Sequence, residues 1–161
     1  MSETVRQGGC GCGALRYEVT GEPIFVNNCH CRQCQHQTGS TSVVNAFFEA
    51  ERLAITSGEV SEHTVTAGSG GEHLLMRCAA CGTAYASHYP GFGRLGLGLR
   101  VGTLDDAGAF RPDAVIFASE AMPWVAFPED IPRFETTYRY SEVLTPENME
   151  RFKALLAKKQ Q

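Results

Sequence analysis

The chain has 161 residues, 43% of them hydrophobic and 20% charged, with a formal net charge of −4. That length favours one domain spanning residues 1–161, able to bury roughly 70% of the surface its unfolded chain would expose, so it needs no cross-links merely to fold. The acidic balance excludes a surface built to neutralise phosphates, hence nucleic acid as a partner. No apolar run approaches the roughly 18–20 residues that cross a membrane. The start MSETVRQGGC has no apolar core like that of a signal peptide, and a reducing cytoplasm is the expected compartment.

Read in chain order, the pattern is mainly β. A first cysteine pair, Cys10 and Cys12, precedes ALRYEVTG (Ala14 to Gly21), which alternates like a strand and ends in a turn at GEP. CHCRQC follows, with Cys29, Cys31 and Cys34 inside six residues. The stretch from Ser40 to Gly58 carries β-branched and aromatic runs suited to buried strands. Thr66 to Glu72 reads as a loop, and HLLMRC leads into the third cysteine group, Cys78 and Cys81. In RLGLGLRVG, Leu95, Leu97, Leu99 and Val101 share one face, while Gly96 and Gly98 imply close approach on the other, packing being its common cause. Trp124, the only tryptophan, reads either as the cover of an active-site pocket or, the commoner case for a large aromatic beneath a proline-rich loop and the one expected here, as core. The last element is a helix over about 146–158. Thr145 caps it, Pro146 opens it and Glu147 suits its dipole, with Met149, Phe152, Leu155 and Leu156 forming one apolar stripe. That stripe suits packing on a sheet or a dimer contact.

Seven cysteines in a reducing compartment need a reason. A disulfide framework suits a short secreted chain with an even count, and inert buried thiols have no cause to sit in close pairs. Metal ligation explains the spacing, because two cysteines one or two residues apart reach one ion from a single turn. Gly13 and Gly82 follow the pairs where such turns must bend back. Zinc takes four ligands, and seven divide most naturally into four and three. The preferred partition joins Cys10, Cys12, Cys78 and Cys81 in a closed site and leaves Cys29, Cys31 and Cys34 as a local site with an open position. A grouping of Cys10, Cys12, Cys29 and Cys31 is also compatible with the spacing. His36, more readily than His30, would close the second site as Cys₃His. Left open, three thiolates on a divalent ion keep a net negative charge, so the ion is a mediocre Lewis acid that still holds an incoming thiol deprotonated. A thiol substrate suits such a site better than hydrolysis does.

The sequence resembles the glutathione-dependent formaldehyde-activating enzyme family, whose domain is shared with centromere protein V. The likeness is carried by GGCGCGALRYEV, CHCRQCQHQTGS and RCAACGT (Arg77 to Thr83). VGTLDD (Val101 to Asp106) and VIFASEAMPWVAFPEDIPRFE (Val115 to Glu135) extend it to roughly residues 8–138. The resemblance implies an Mss4-like, zinc-ribbon-containing β fold. It implies a structural zinc on Cys10, Cys12, Cys78 and Cys81 and a catalytic zinc on Cys29, Cys31 and Cys34. It also implies a carbon–sulfur lyase activity that joins glutathione to formaldehyde as S-hydroxymethylglutathione. Many relatives carry a basic residue before APW, where this chain has Glu120 and Met122. Glutathione brings two carboxylates; Arg32, Arg94 and Arg100 are candidate partners, though each also reads as a solvated surface arginine.

Two other classes compete with a zinc enzyme. A non-catalytic zinc module that binds a protein partner needs only the closed four-cysteine site, which leaves CHCRQC surplus. A metal-free cluster could instead cycle disulfides. A chromatin role like that of the centromeric relative suits neither the acidic balance nor the lack of a basic tail.

Overall fold

A computed structural model describes residues 3–68 and 70–160. Among them are ten strands: β1 Val5–Gly9, β2 Arg16–Thr20, β3 Phe25–Cys29, β4 Val43–Glu49, β5 Leu53–Ser57, β6 Val60–Thr66, β7 Glu72–Cys78, β8 Ala84–His88, β9 Gly96–Arg100 and β10 Ala114–Ile116. The helices are α1 Arg32–Thr38, α2 Tyr140–Val143 and α3 Pro146–Lys159. The fold is mainly β with a C-terminal helix, as expected. β1, β2 and β5 form a small antiparallel sheet. The remaining strands form one seven-stranded sheet in the order β10-β3-β4-β9-β8-β7-β6, antiparallel except where β10 runs beside β3.

The period-two alternation of the strands sorts side chains onto the two faces of the large sheet. Val44, Ala46 and Phe48 of β4 join Leu97 and Leu99 of β9 against Leu15, Tyr17 and Val19, forming the core between the two sheets. Phe47 belongs to the opposite face, where Phe25, Phe92, Phe152 and Leu155 make a second cluster under α3. Gly96 and Gly98 are required by this face. A Cβ at Gly96 would sit 2.8 Å from Phe92, and one at Gly98 would sit 3.0 Å from Tyr89. Thr145 caps α3 by accepting from the Asn148 N–H at 3.2 Å, and Arg151 ties the helix to Glu49 at 2.7 Å.

Two expectations change here. Leu95 leaves the leucine stripe, because it falls in a 3₁₀ turn before β9 and is exposed. β5 is a sheet edge whose residues from Ala54 onward are exposed, so only the β4 half of Ser40–Gly58 is a buried strand. The loop read over Thr66–Glu72 supplies the turn between β6 and β7, with Ser69 outside the described residues.

Candidate metal centre

The structure brings together two separate groups of thiols, each with its sulfurs within 4.8 Å of one another: Cys10, Cys12, Cys78 and Cys81, and apart from them Cys29, Cys31 and Cys34. The mixed grouping of Cys10 and Cys12 with Cys29 and Cys31 does not occur.

The four-thiol group is built by two turns. Cys10 and Cys12 lie between β1 and β2, while Cys78 ends β7 and Cys81 lies in the turn from it to β8. Gly13 (φ +80°) and Gly82 (φ +76°) reverse the chain. A Cβ at either would meet nothing within 4 Å, so it is the left-handed backbone rather than crowding that calls for glycine. Donors converge on the sulfurs: the Leu15 N–H on Cys10 at 3.2 Å and the Thr83 hydroxyl beside Cys81 at 3.1 Å. That hydroxyl, with the Thr83 N–H, holds the Cys81 thiol down at about 5. Thr83 also accepts from the Gly11 N–H at 3.2 Å, which stitches the two turns together.

The three-thiol group is built by element ends. Cys29 ends β3, in register with Val43 and Ile116. Cys31 caps α1, its sulfur accepting from the Cys34 N–H at 3.4 Å, and Cys34 lies one turn into the helix. Cys29 and Cys34 are buried. The thiols share hydrogen bonds unequally. Those from Cys29 and then Cys34 hold Cys31 well below an ordinary thiol. Cys29 is pushed up by the same bonds with Cys31 and Cys34 and by burial. No histidine joins the group. The His36 ring lies beside Arg32, Nε2 to Nη2 at 3.4 Å, and the His30 ring packs edge-on to Phe127. The Cys₃His closure is therefore absent among the described residues.

Both groups suit zinc chemically. All seven cysteines are free thiols. Spacings below 4.8 Å match sulfurs around a common ion at Zn–S distances of about 2.3 Å, where tetrahedral edges are about 3.8 Å.

The family model for the glutathione-dependent formaldehyde-activating enzyme matches residues 5–120. The chain belongs to that family. The match contains all three cysteine motifs and ends at Glu120, so the segment from Ala121 to Glu135 lies beyond it. A crystal structure of a Rhodobacter sphaeroides protein is similar at 17% identity, covering 80% of this chain and 99% of that one, with a TM-score of 0.49. No curated protein matches the sequence.

Around the three thiols, this family member departs from its sequence reading at three places. Glu120 accepts the Arg32 N–H at 2.6 Å, placing a carboxylate at the start of α1 and pinning the following segment there. Gln35 reinforces the contact, donating to the carbonyls of His30 at 2.6 Å and Glu120 at 3.0 Å. Trp124 is not core; it is 72% exposed, beside a groove of about 530 Å³ that Arg32, His36 and Met122 also line. The Pro123–Trp124 step lies on the surface because the segment is held by Glu120 rather than by its aromatic. Third, of the candidate arginines, Arg32 is exposed and Arg94 is exposed and paired with Glu62, as surface groups are, but Arg100 is buried at 5% exposure.

Arg100 stands at the centre of a polar cluster that sequence reasoning missed. It donates to the Asn45 side-chain oxygen, to the Tyr89 hydroxyl at 3.3 Å and to Gln37 at 3.1 Å. Gln37 also meets His73 Nδ1 at 3.4 Å, and the His73 ring stacks on Tyr89 at 4.2 Å. Burial, then the Arg100 charge, lowers His73 to about 4, so it is neutral at physiological pH. The available signal was the alternation Gly96, Gly98, Arg100, which puts the arginine on the face where the glycines bring neighbours close.

Proposed function

We propose that this protein is a zinc-dependent carbon–sulfur lyase of the S-(hydroxymethyl)glutathione synthase type, acting on glutathione and formaldehyde. Family membership supports glutathione-dependent formaldehyde activation. The observation that carries the reading is a second thiol cluster with three ligands rather than four, separate from the first. In this reading Cys10, Cys12, Cys78 and Cys81 hold a structural zinc, and Cys29, Cys31 and Cys34 hold the catalytic one.

A zinc ion bound there supplies a position at which the substrate sulfur stays deprotonated at neutral pH. The reaction forms one carbon–sulfur bond. The sulfur gives an electron pair to the formaldehyde carbon, the carbonyl π pair moves to oxygen, and that oxygen takes up the proton the thiol gave up. The chain's residues orient the parts. Cys29 and Cys34, on a strand end and a helix turn, fix the ligands from rigid elements. Glu120 and Gln35 hold the segment leading to Trp124 against α1, and the groove beside Trp124 and Arg32 has room for the body of a tripeptide thiol.

The competing reading is a zinc module that binds a protein partner. It uses the four-thiol site and gives the second cluster no task. Carbon-13 NMR of labelled formaldehyde mixed with glutathione discriminates the two. The enzyme reading predicts faster approach to the S-hydroxymethyl adduct with wild-type protein than without it, and loss of that acceleration in Cys31→Ser. Equal rates with and without wild-type protein, at full zinc loading, would favour the binding module.

A further inference from the structure

We propose that Arg100 is the charge complement of the three-thiol site, a positioning residue that lets Cys29, Cys31, Cys34 and an arriving substrate sulfur remain thiolates around one divalent ion. This rests on the function proposed above. A buried guanidinium is costly unless an anion answers it. The side-chain partners of Arg100, namely Asn45, Tyr89 and Gln37, are all neutral, and its Nε atom has no partner. Among the described residues no carboxylate pairs with it.

Glu49 shares the sheet face of Arg100, but Arg151 and Arg52 already pair it; the thiol cluster, once it holds a metal, is the anionic group left to answer Arg100. Gln37, which Arg100 grips, follows Cys34 by three residues and so shares its side of α1. Asn45, the register partner of Arg100, lies two residues beyond Val43, the register partner of Cys29. The neighbouring titratable groups do not compete: His73 is held neutral, and burial keeps the Tyr89 phenol above its ordinary value. Three thiolates on a divalent ion carry one net negative charge, and Arg100 brings the buried assembly to neutrality. A substrate thiolate would add a second negative charge in a site that water screens poorly. Arg100 reduces that cost in advance. The four-thiol group needs no such counter-charge, because Cys12 and Cys81 are exposed to water.

The test compares wild type, Arg100→Gln, Arg100→Lys and Gln37→Glu as full-length, zinc-loaded proteins. Each is titrated with a chelator to resolve two affinities, then with glutathione. Arg100→Gln is expected to weaken the second site by about tenfold or more, as loss of an outer-shell partner does, and to weaken glutathione binding, leaving the first site unchanged. Arg100→Lys, which keeps the charge and loses the fork, is expected to retain most of the affinity. Gln37→Glu, which hands Arg100 a carboxylate, should mimic Arg100→Gln, and it decides the matter if that variant fails to fold. Unchanged second-site affinity in Gln37→Glu and Arg100→Gln would overturn the proposal alone. So would equal losses in Arg100→Lys and Arg100→Gln with native circular dichroism, since the hydrogen bonds and not the charge would then matter. One zinc per wild-type chain would overturn the catalytic-site reading and this proposal with it.

Discussion

The two thiol groups of this chain are built from the same ligand and differ in almost everything around it. The four-thiol group sits on two surface turns, with Cys12 and Cys81 exposed. It joins segments more than sixty residues apart in sequence, Cys12 and Cys78 being its nearest members across the gap. The three-thiol group is contiguous in sequence and anchored by tertiary structure: a strand end paired on both sides, a helix start, and a carboxylate brought from Glu120. A site that closes a long loop in water stabilises by holding distant chain together. In the function proposed above, the second site, with Cys29 and Cys34 buried and Arg100 on the same face of the sheet, serves chemistry on a charged sulfur.

That difference predicts unequal responses to losing a ligand. Cys78→Ser should be the most damaging change. A closed four-thiolate site contributes on the order of 10 kcal/mol to folding, so the variant should be largely unfolded by circular dichroism at ordinary temperature. A cooperative native melt for Cys78→Ser would break the assignment of a structural role. Next in size is the anchor of α3. Glu49 is half-buried between Arg151 and Arg52 at 2.7 and 2.9 Å. Burial raises its proton affinity, but the two arginines outweigh this and its carboxyl sits below the ordinary range. Its contribution to stability is therefore present above the unfolded value of about 4.3 and is lost as pH falls through the lower, folded value. Glu49→Gln should cost about 1–3 kcal/mol in urea denaturation at pH 7, with the gap to wild type closing in acid. Glu120→Gln removes the carboxylate at the start of α1 and should cost about 1 kcal/mol. It should also loosen metal at the second site only, by chelator competition. Equal loosening at both sites would mean that Glu120 acts through global stability. Trp124→Ala is the mildest. With its ring 72% exposed, the variant should melt within about 0.5 kcal/mol of wild type, while binding glutathione less tightly if the groove holds the thiol.

Much of this arrangement was legible in the sequence, and the parts that were not share a cause. Spacing alone brought Cys29, Cys31 and Cys34 together, because ligands within six residues need only one strand end and one helical turn. The Gly96–Gly98 alternation announced a crowded face, and Thr145-Pro146 announced α3, since both signals are local. Arg100 was read as a surface residue because a lone arginine usually is. Its burial depends on Asn45, Gln37 and Tyr89 arriving from three other parts of the chain. Trp124 was placed in the core because a large aromatic usually is. It stays outside because Glu120, two residues before Met122, holds its segment to α1 through a backbone N–H, a contact between residues 88 apart. Leu95 kept its hydrophobic pattern and lost its strand, since the chain turns one residue before β9 begins.

The measurement that bears most directly on the account is zinc per chain in freshly reduced protein, for wild type and Cys31→Ser. About two ions in wild type and about one in a variant with native circular dichroism are expected if the three-thiol group is a separate, removable site. One ion in both proteins would contradict it, leaving the four-thiol group as the only metal centre and CHCRQC as a cluster of bare thiols.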